Sequence, residues 1–141
     1  MFTINATEVR RDWSTVVDSV IRDKPKFIKR THDYMLLSDI ELIANLLSAY
    51  KFTAEQFIED DGSVTLSLNE IDLVENGTDE KSARLKLAKS ILDYAEDYYG
   101  EFNYWSSAPN RKPHIPYVLK ALITGDCEMI GEMLECRATE I

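Results

Sequence analysis

Residues 4–21 read INATEVRRDWSTVVDSVI and carry the most regular pattern in the chain. Asn5 is a residue type that caps helices, because its side chain accepts a backbone N–H at a helix start, and Glu8 follows three residues later. Beyond this cap, apolar residues recur in steps of three and four: Val9, Trp13, Val16, Val17, Val20 and Ile21. The spacing predicts one helix that buries a single face after a short extended lead.

Arg10 and Arg11 fall in the first two turns of this predicted helix. Cations near a helix N-terminus oppose the helix macrodipole, so their placement is unfavourable for the helix itself. A bound anion would offset the mismatch, since helix N-termini and arginine side chains both favour phosphate. The pattern therefore indicates an anion-binding role for this end of the helix.

The next segment has the pattern of a β-hairpin. Residues 24–30 (KPKFIKR) predict a strand, residues 31–33 a turn, and residues 34–37 (YMLL) a second strand. A helix is then expected to begin at Ser38, with Glu41 completing a capping box. The N-terminal third thus predicts the order β-α-β-β-α.

Residues 51–141 predict a second, smaller α+β region that consists of a β-hairpin and a long helix and is followed by a pair of helices. Alternating apolar residues on either side of Asp61-Gly62 predict a hairpin, and Thr78 is expected to cap a long helix. The proline-containing segment 106–116 has the composition of a linker, and two short amphipathic helices are expected after it. The fold class expected for the whole chain is α+β.

Charge is unevenly distributed over the 141 residues, whose net charge is −9. Residues 1–50 carry seven basic and seven acidic residues, and residues 51–141 carry nine basic and 18 acidic ones. Within residues 1–30 the balance is positive, with seven basic residues against four acidic ones. Such a chain is unsuited to indiscriminate nucleic-acid binding, but it retains a local basic surface near its N-terminus.

The sequence also bears on the cellular compartment. It has no apolar run of membrane-spanning length and no signal-peptide pattern, so we expect a cytoplasmic protein. In that compartment Cys127 and Cys136 are expected to be reduced thiols rather than a disulfide.

Residues 1–50 resemble the Phd/YefM family of type II antitoxins. The resemblance rests on Ile4-Asn5, Arg10, Trp13-Ser14, residues 27–30 (FIKR) and residues 36–42 (LLSDIEL). The chain departs from the family at the hairpin turn, where the family often has glycine and this sequence has Thr31-His32-Asp33. Residues 52–99 also resemble the core of HicB-type antitoxins, with two strands, an Asp-Gly turn and a capped helix.

The Phd/YefM resemblance implies a homodimer or higher homo-oligomer that binds operator DNA through residues 1–50, represses its own promoter and holds a toxin through residues 51–141. The positions that match the family's DNA-facing segments are Asn5, Thr7, Arg10, Arg11, Lys29 and Arg30. Arginine and asparagine suit base edges, and lysine and arginine suit phosphates. The acidic second region would complement a basic toxin, although the sequence does not indicate which of its residues make contact.

Two other functions remain open from the sequence. The acidic turn at residues 59–61 and the aromatic residues of 94–105 are compatible with a sensor domain, so the chain could be a ligand- or metal-responsive transcriptional regulator. A protein that serves only in assembly is the third reading. His32 and His114 are far apart, and no zinc motif, phosphate loop or nucleophile elbow occurs. We therefore expect no enzyme activity, no catalytic residues, no metal site and no cofactor.

Overall fold

The computed structural model describes residues 1–139, and its internal contacts separate the chain into two compact units. The N-terminal unit spans Met1–Leu46, and the C-terminal unit begins at Leu47. Each unit has its own sheet and its own cluster of buried apolar residues. The predicted α+β fold class is therefore confirmed.

The N-terminal unit has the predicted order of elements, except that its first helix is divided in two. Its elements are β1 (Thr3–Asn5), α1 (Ala6–Arg11), α2 (Trp13–Arg22), β2 (Lys26–Arg30), β3 (Asp33–Leu37) and α3 (Ile40–Leu46). The division lies at Asp12, where ψ is 33°. Arg10 and Arg11 consequently lie in the last turn of α1, where cations suit the helix dipole. The expectation that they oppose the dipole of a helix start was wrong.

The sheet of the N-terminal unit has β2 at its centre, parallel to β1 and antiparallel to β3. α1 and α2 cover the face that carries Ile28, and the buried core consists of Val9, Val16, Val20 and Ile28. Trp13 and Ile21, which the helical spacing assigns to the buried face, are 52% and 60% exposed. Three strands are too narrow to cover the whole apolar stripe.

The β2–β3 hairpin turns through Thr31 and His32. Thr31 is the one non-glycine residue within residues 1–139 that has a positive φ, at +54°. This left-handed conformation is unfavourable for a β-branched side chain and is readily adopted by glycine. The turn is therefore strained at the position where the sequence departs from the Phd/YefM pattern.

The start of α3 also differs from the prediction. The Ser38 hydroxyl donates to the carbonyl of Asp39 over 2.9 Å, so it does not cap the helix. The Asp39 carboxylate accepts the N–H of Glu41 over 3.2 Å instead. No residue of α3 is buried, and Ile40 and Leu46 are 57% and 64% exposed.

The C-terminal unit is larger than the N-terminal unit and contains more strands than predicted. Its strands are β4 (Thr53–Ile58), β5 (Val64–Leu68), β6 (Val74–Gly77) and β7 (Glu135–Ala138). Its helices are α4 (Glu80–Gly100), α5 (Phe102–Ser107), α6 (Ile115–Thr124) and α7 (Cys127–Met133), with single 3₁₀ turns at Leu47–Ala49 and Lys112–His114. The predicted hairpin is therefore part of a four-stranded sheet, which has the order β6-β5-β4-β7.

β7 pairs in parallel with β4 and brings the end of the chain into this sheet. α4 packs on the same core as the strands, α6 and α7. The buried residues are Phe52, Ala54, Val64, Leu66, Leu68, Ile71, Ala83, Leu87, Ala88, Ile91, Ala95, Tyr98, Val118, Ala121, Ile130 and Leu134. The predicted pair of short helices is thus confirmed, and the core that it covers belongs to α4 and the sheet.

The junction between β6 and α4 is tight. Gly77 is buried, and a Cβ at this position would lie 2.3 Å from the backbone nitrogen of Ala83. The cap of α4 is Asp79 and not the predicted Thr78, because the Asp79 side chain accepts the N–H of Ser82 over 2.7 Å.

The proline-containing segment 106–116 is not a linker between domains. It lies within the C-terminal unit, where the hydroxyl of Tyr98 donates to the carbonyl of Arg111 over 2.9 Å. Only residues 108–111 of the segment lie outside α5, α6 and the 3₁₀ turn Lys112–His114. Composition alone does not distinguish a packed connection from a mobile one.

Candidate functional site

Four of the six sequence-predicted DNA-facing residues line one hollow on the N-terminal unit. The hollow has a volume of about 560 Å³, and its lining consists of Asn5, Ala6, Thr7, Arg10, Arg30 and Thr31. α1 supplies one side of the hollow, and the end of β2 with the hairpin turn supplies the other. The fold thus brings together residues that are 20 or more positions apart in the sequence.

Asn5 has a structural task at this hollow. Its Oδ1 accepts the N–H of Thr7 over 2.9 Å and caps α1. The amide group of an asparagine carries one acceptor oxygen and a donor NH₂, so the cap leaves the donor side unused. The side-chain NH₂ of Asn5 is therefore available as a hydrogen-bond donor at the hollow, while its oxygen caps α1.

Arg10 and Arg30 supply the positive charge of the hollow. Both residues are exposed, and neither guanidinium forms an ion pair with any residue in the range 1–139. No carboxylate belongs to the lining. Two unneutralised guanidinium groups at one concavity favour an anion, and their planar donor pattern suits phosphate.

The remaining two predicted residues lie elsewhere. Arg11 is outside the lining of the hollow, and its guanidinium is 3.5 Å from the carboxylate of Asp12. Lys29 alternates with Ile28 along β2, so it lies on the opposite face of the sheet, where its Nζ is 5.7 Å from the ring centroid of Tyr34.

An apolar groove lies next to the hollow and shares Arg10 with it. The groove has a volume of about 520 Å³, and its lining consists of Ala6, Val9, Arg10, Trp13, Ile28, Met35, Leu36 and Leu37. Trp13, Met35 and Leu36 are each about half exposed, at 52%, 52% and 48%. Phe27 and Tyr34 are also exposed, at 43% and 54%. The small unit thus presents a large apolar surface to solvent.

The C-terminal unit presents an acidic surface. Asp93, Glu96, Asp97 and Glu101 are all exposed near the end of α4, where no basic residue occupies the last turn. Only Asp93 among these four forms an ion pair within the described chain, with Lys89 at 2.9 Å. Carboxylates at a helix C-terminus oppose the macrodipole, so this arrangement does not serve the stability of α4.

The acidic turn at residues 59–61 is organised by hydrogen bonds. The Asp61 carboxylate accepts the N–H of Ser63 over 2.9 Å and the hydroxyl of the same residue. These bonds hold the pKa of Asp61 below its usual range. Within residues 1–139, no group of three or more His, Cys, Asp or Glu side chains is arranged to hold a metal ion.

The aromatic residues that a sensor pocket would use are packed around a side chain of the same chain. The guanidinium of Arg111 lies 5.3 Å from the ring centroid of Trp105 and 5.7 Å from that of Tyr94. It also donates to the Tyr94 hydroxyl over 3.1 Å, and this hydroxyl is 2.6 Å from Nδ1 of His114. Arg111 therefore occupies the position over these rings that a cationic ligand would take.

The environment of His114 favours its neutral form. The Tyr94 oxygen accepts from Arg111, so the hydroxyl hydrogen is available for Nδ1 of His114. Burial and the charge of Arg111 lower the pKa of His114, and Asp72 opposes them.

No helix within residues 1–139 is long and apolar enough to cross a membrane.

Comparison with known proteins identifies the family. Residues 1–136 match the model of a PHD-like family described as the antitoxin of the RelE/RelB toxin–antitoxin system. The chain belongs to this antitoxin family. The match ends within β7, so residues 51–136 of this antitoxin belong to the family pattern together with residues 1–50, which alone carried the Phd/YefM resemblance in the sequence.

A solved structure agrees with this assignment. The crystal structure of a protein from Syntrophomonas wolfei subsp. wolfei, described as the antitoxin part of a proposed toxin/antitoxin system, is 38% identical to the chain. The TM-score is 0.93, and the match covers 99% of this antitoxin and 100% of the other chain. A comparison with curated proteins gave no match. Membership of an antitoxin family implies a cognate toxin as partner and gives no support to the ligand- or metal-responsive regulator.

Proposed function

We propose that this antitoxin neutralises its toxin by direct binding through residues 51–141 and represses its own promoter through a DNA-binding dimer of residues 1–50. In this function the protein is not an enzyme. It acts in the cytoplasm, where its promoter and its toxin are found. The observation that carries the DNA-binding part is the hollow that brings Arg10 and Arg30 together without a carboxylate.

The support for DNA binding comes from charge and hydrogen-bond donors. Arg10 and Arg30 face one concavity, and Asn5 adds an unused amide donor there. Arg11 and Lys29 lie outside the hollow, where they extend the basic surface of residues 1–30. Neutralisation of phosphates by such a surface gives affinity, and side chains that reach base edges give sequence preference.

The support for a homodimer comes from the apolar surface of the N-terminal unit. A unit of 46 residues buries only four apolar residues, while Trp13, Met35 and Leu36 stay about half exposed. A unit this small commonly needs a partner to bury enough apolar area. A second copy is the partner that covers the same surface on both molecules at once.

The support for toxin binding by the C-terminal unit is its acidic charge. Residues 51–141 have a net charge of −9, and Glu96, Asp97 and Glu101 are exposed without ion pairs in the described chain. Such a surface suits a basic partner and speeds its encounter with the antitoxin.

The test of DNA binding is a titration of the full chain on the DNA immediately upstream of its gene, at several salt concentrations. We expect binding with a steep salt dependence that the variant Arg10→Ala/Arg11→Ala loses. The variant Lys81→Ala/Lys112→Ala removes the same charge from the C-terminal unit and should bind as tightly as the wild type. Binding no tighter than that to unrelated DNA would show that the N-terminal unit is not a repressor.

The test of neutralisation is co-expression with the protein encoded beside the gene. We expect the two proteins to purify as a complex. We also expect the antitoxin to restore the growth of cells in which the toxin is expressed. Arg10→Ala/Arg11→Ala should keep both properties, because its changes lie in the other unit. Absence of complex and of protection would refute the toxin-binding part and leave the DNA result unaffected.

A further inference from the structure

The hollow on the N-terminal unit includes Thr31, which is not among the DNA-facing positions that the family resemblance implies. Thr31 follows Arg30 directly and has a φ of +54°. Asparagine and glycine adopt this conformation more readily than threonine. A strained residue at the rim of a basic hollow points to a contribution of its side chain to what the hollow binds.

We propose that the hollow holds one phosphate of the DNA backbone, bound by the guanidinium groups of Arg10 and Arg30 and by the hydroxyl of Thr31. This inference rests on the DNA binding proposed above and assigns a specific ligand group to the hollow. It also separates Arg30, which binds the phosphate, from its neighbour Lys29, which lies on the other face of the sheet.

The chemistry of the lining suits an oxyanion. The polar side chains of the lining are two guanidinium groups, two threonine hydroxyls and the amide of Asn5. The acceptor oxygen of that amide is already bonded to the N–H of Thr7. The hollow therefore presents mainly hydrogen-bond donors and positive charge, which a phosphodiester satisfies with two free oxygens.

The position of Thr31 explains why a hydroxyl is useful there. An arginine binds a phosphate strongly but carries a long flexible side chain, whereas a threonine hydroxyl is held close to the backbone. A contact from the turn fixes where the phosphate lies relative to β2 and α1. Phosphate contacts of this kind set the register of a protein on the duplex.

The experiment compares four single variants of the full chain on the upstream DNA. Thr31→Val keeps the shape of the side chain and the turn strain but removes the hydroxyl, whereas Thr31→Ser keeps the hydroxyl. We expect Thr31→Val to weaken binding about tenfold per hollow, since a hydrogen bond to a charged group is lost. Thr31→Ser should bind within about threefold of the wild type. The third variant, Arg30→Ala, should reduce the salt slope by about one, whereas Thr31→Val leaves it unchanged.

His32→Ala is the matched control, because His32 is the neighbouring turn residue and lies outside the lining. It should bind DNA as the wild type does. Equal affinity of Thr31→Val and the wild type would overturn the role of Thr31. An unchanged salt slope in Arg30→Ala would overturn the phosphate site. Failure of the wild type itself to bind would refute the proposed DNA-binding function and this inference together.

Discussion

Gly77 is the residue at which the fold is least tolerant of added volume. A Cβ there would lie 2.3 Å from the nitrogen and 2.8 Å from the Cα of Ala83, both of which are backbone atoms that cannot rotate away. We expect Gly77→Ala to lower the free energy of unfolding by about 3 kcal/mol, at the upper end of overpacking effects. Urea unfolding followed by circular dichroism measures the change.

Gly100 provides the comparison for this prediction. It ends α4, and a Cβ there meets no atom within 4 Å. Gly100→Ala should leave stability unchanged or raise it by about 0.5 kcal/mol, because alanine loses less backbone freedom on folding. Similar losses in the two variants would show that the effect at Gly77 is not steric.

His114 predicts a pH dependence of stability. Burial lowers its pKa in the folded chain below the value of 6.5 that an unperturbed histidine has. The unfolded chain therefore binds the proton first as the pH falls, and stability is lost from pH 6.5 down to the folded pKa. Between pH 7.5 and pH 5, the free energy of unfolding of the wild type should therefore decrease. The decrease should be smaller in His114→Asn, which lacks this histidine.

The measurement is the urea midpoint of the wild type and of His114→Asn at several pH values. His32→Asn is the control, since His32 is exposed on the N-terminal unit. It should retain the wild-type pH dependence. A wild-type dependence that persists in His114→Asn would assign the effect to other groups.

The burial of individual side chains is only partly predictable from the sequence. The spacing of Val9, Val16 and Val20 correctly predicts burial, because helical periodicity is a property of the sequence. The same spacing assigns Trp13 to the buried face, yet this side chain is 52% exposed. The width of the sheet that packs against the helices is a tertiary property, which the spacing does not contain. Likewise, adjacency in the sequence cannot show that Arg30 lines the hollow and Lys29 does not.

Among the elements, β7 is attached to the unit by its pairing with β4 and also by one side chain of α4. The Arg84 guanidinium donates to the carbonyl of Gly131 over 3.1 Å and to that of Leu134 over 2.8 Å, and so joins α4 to the end of α7 and the start of β7. Because hydrogen bonds from a charged group stabilise more than neutral ones, Arg84→Ala should cost about 2–3 kcal/mol. Amide exchange in β7 should accelerate more than exchange in β4 and β5.

Lys89→Ala is the control on the same helix, with the same loss of charge. Lys89 forms an exposed ion pair with Asp93 at 2.9 Å, and solvent screening leaves such exposed pairs with little effect on stability. Its β7 amides should exchange at the wild-type rate. If amide exchange in Arg84→Ala accelerated equally in all strands of the sheet, the hydrogen bonds of Arg84 would not stabilise β7 locally.

β7 is also an element that the sequence does not reveal. Residues 135–138 read ECRA, which has neither the alternation nor the β-branched composition of a strand. Its pairing with β4 depends on contacts about 80 positions apart. By contrast, β4, β5 and α4 are predictable from the Asp61-Gly62 turn and the helical stripe, because those signals are local. The caps are less predictable, since Asp79 and Thr78 are adjacent and chemically similar.

On the scale of the whole molecule, the division of charge matches the proposed division of DNA binding and toxin binding between the two units. Residues 1–30 are basic and residues 51–141 are acidic, so one chain presents surfaces that attract opposite partners. The charge alone does not give the oligomeric state. The apolar surface of the N-terminal unit is relevant to the oligomeric state. Within this unit of 46 residues, Leu36 is 48% exposed and Met35 is 52% exposed.

Leu36→Asp therefore tests how the two tasks depend on assembly. A carboxylate on the surface that a second copy would cover costs the desolvation of a charge, so we expect the variant to sediment as a monomer and the wild type, at the same concentration, as a dimer. A monomer engages only one half of a symmetric operator, so its affinity should fall about 100-fold or more. Leu85→Asp, at a site 40% exposed on the C-terminal unit, should keep the dimer and its DNA affinity. Toxin binding should survive Leu36→Asp, because the acidic unit has its own sheet and core. A Leu36→Asp protein that remains dimeric would locate the interface elsewhere, and one that becomes monomeric yet binds DNA as tightly as the wild type would separate repression from dimerisation.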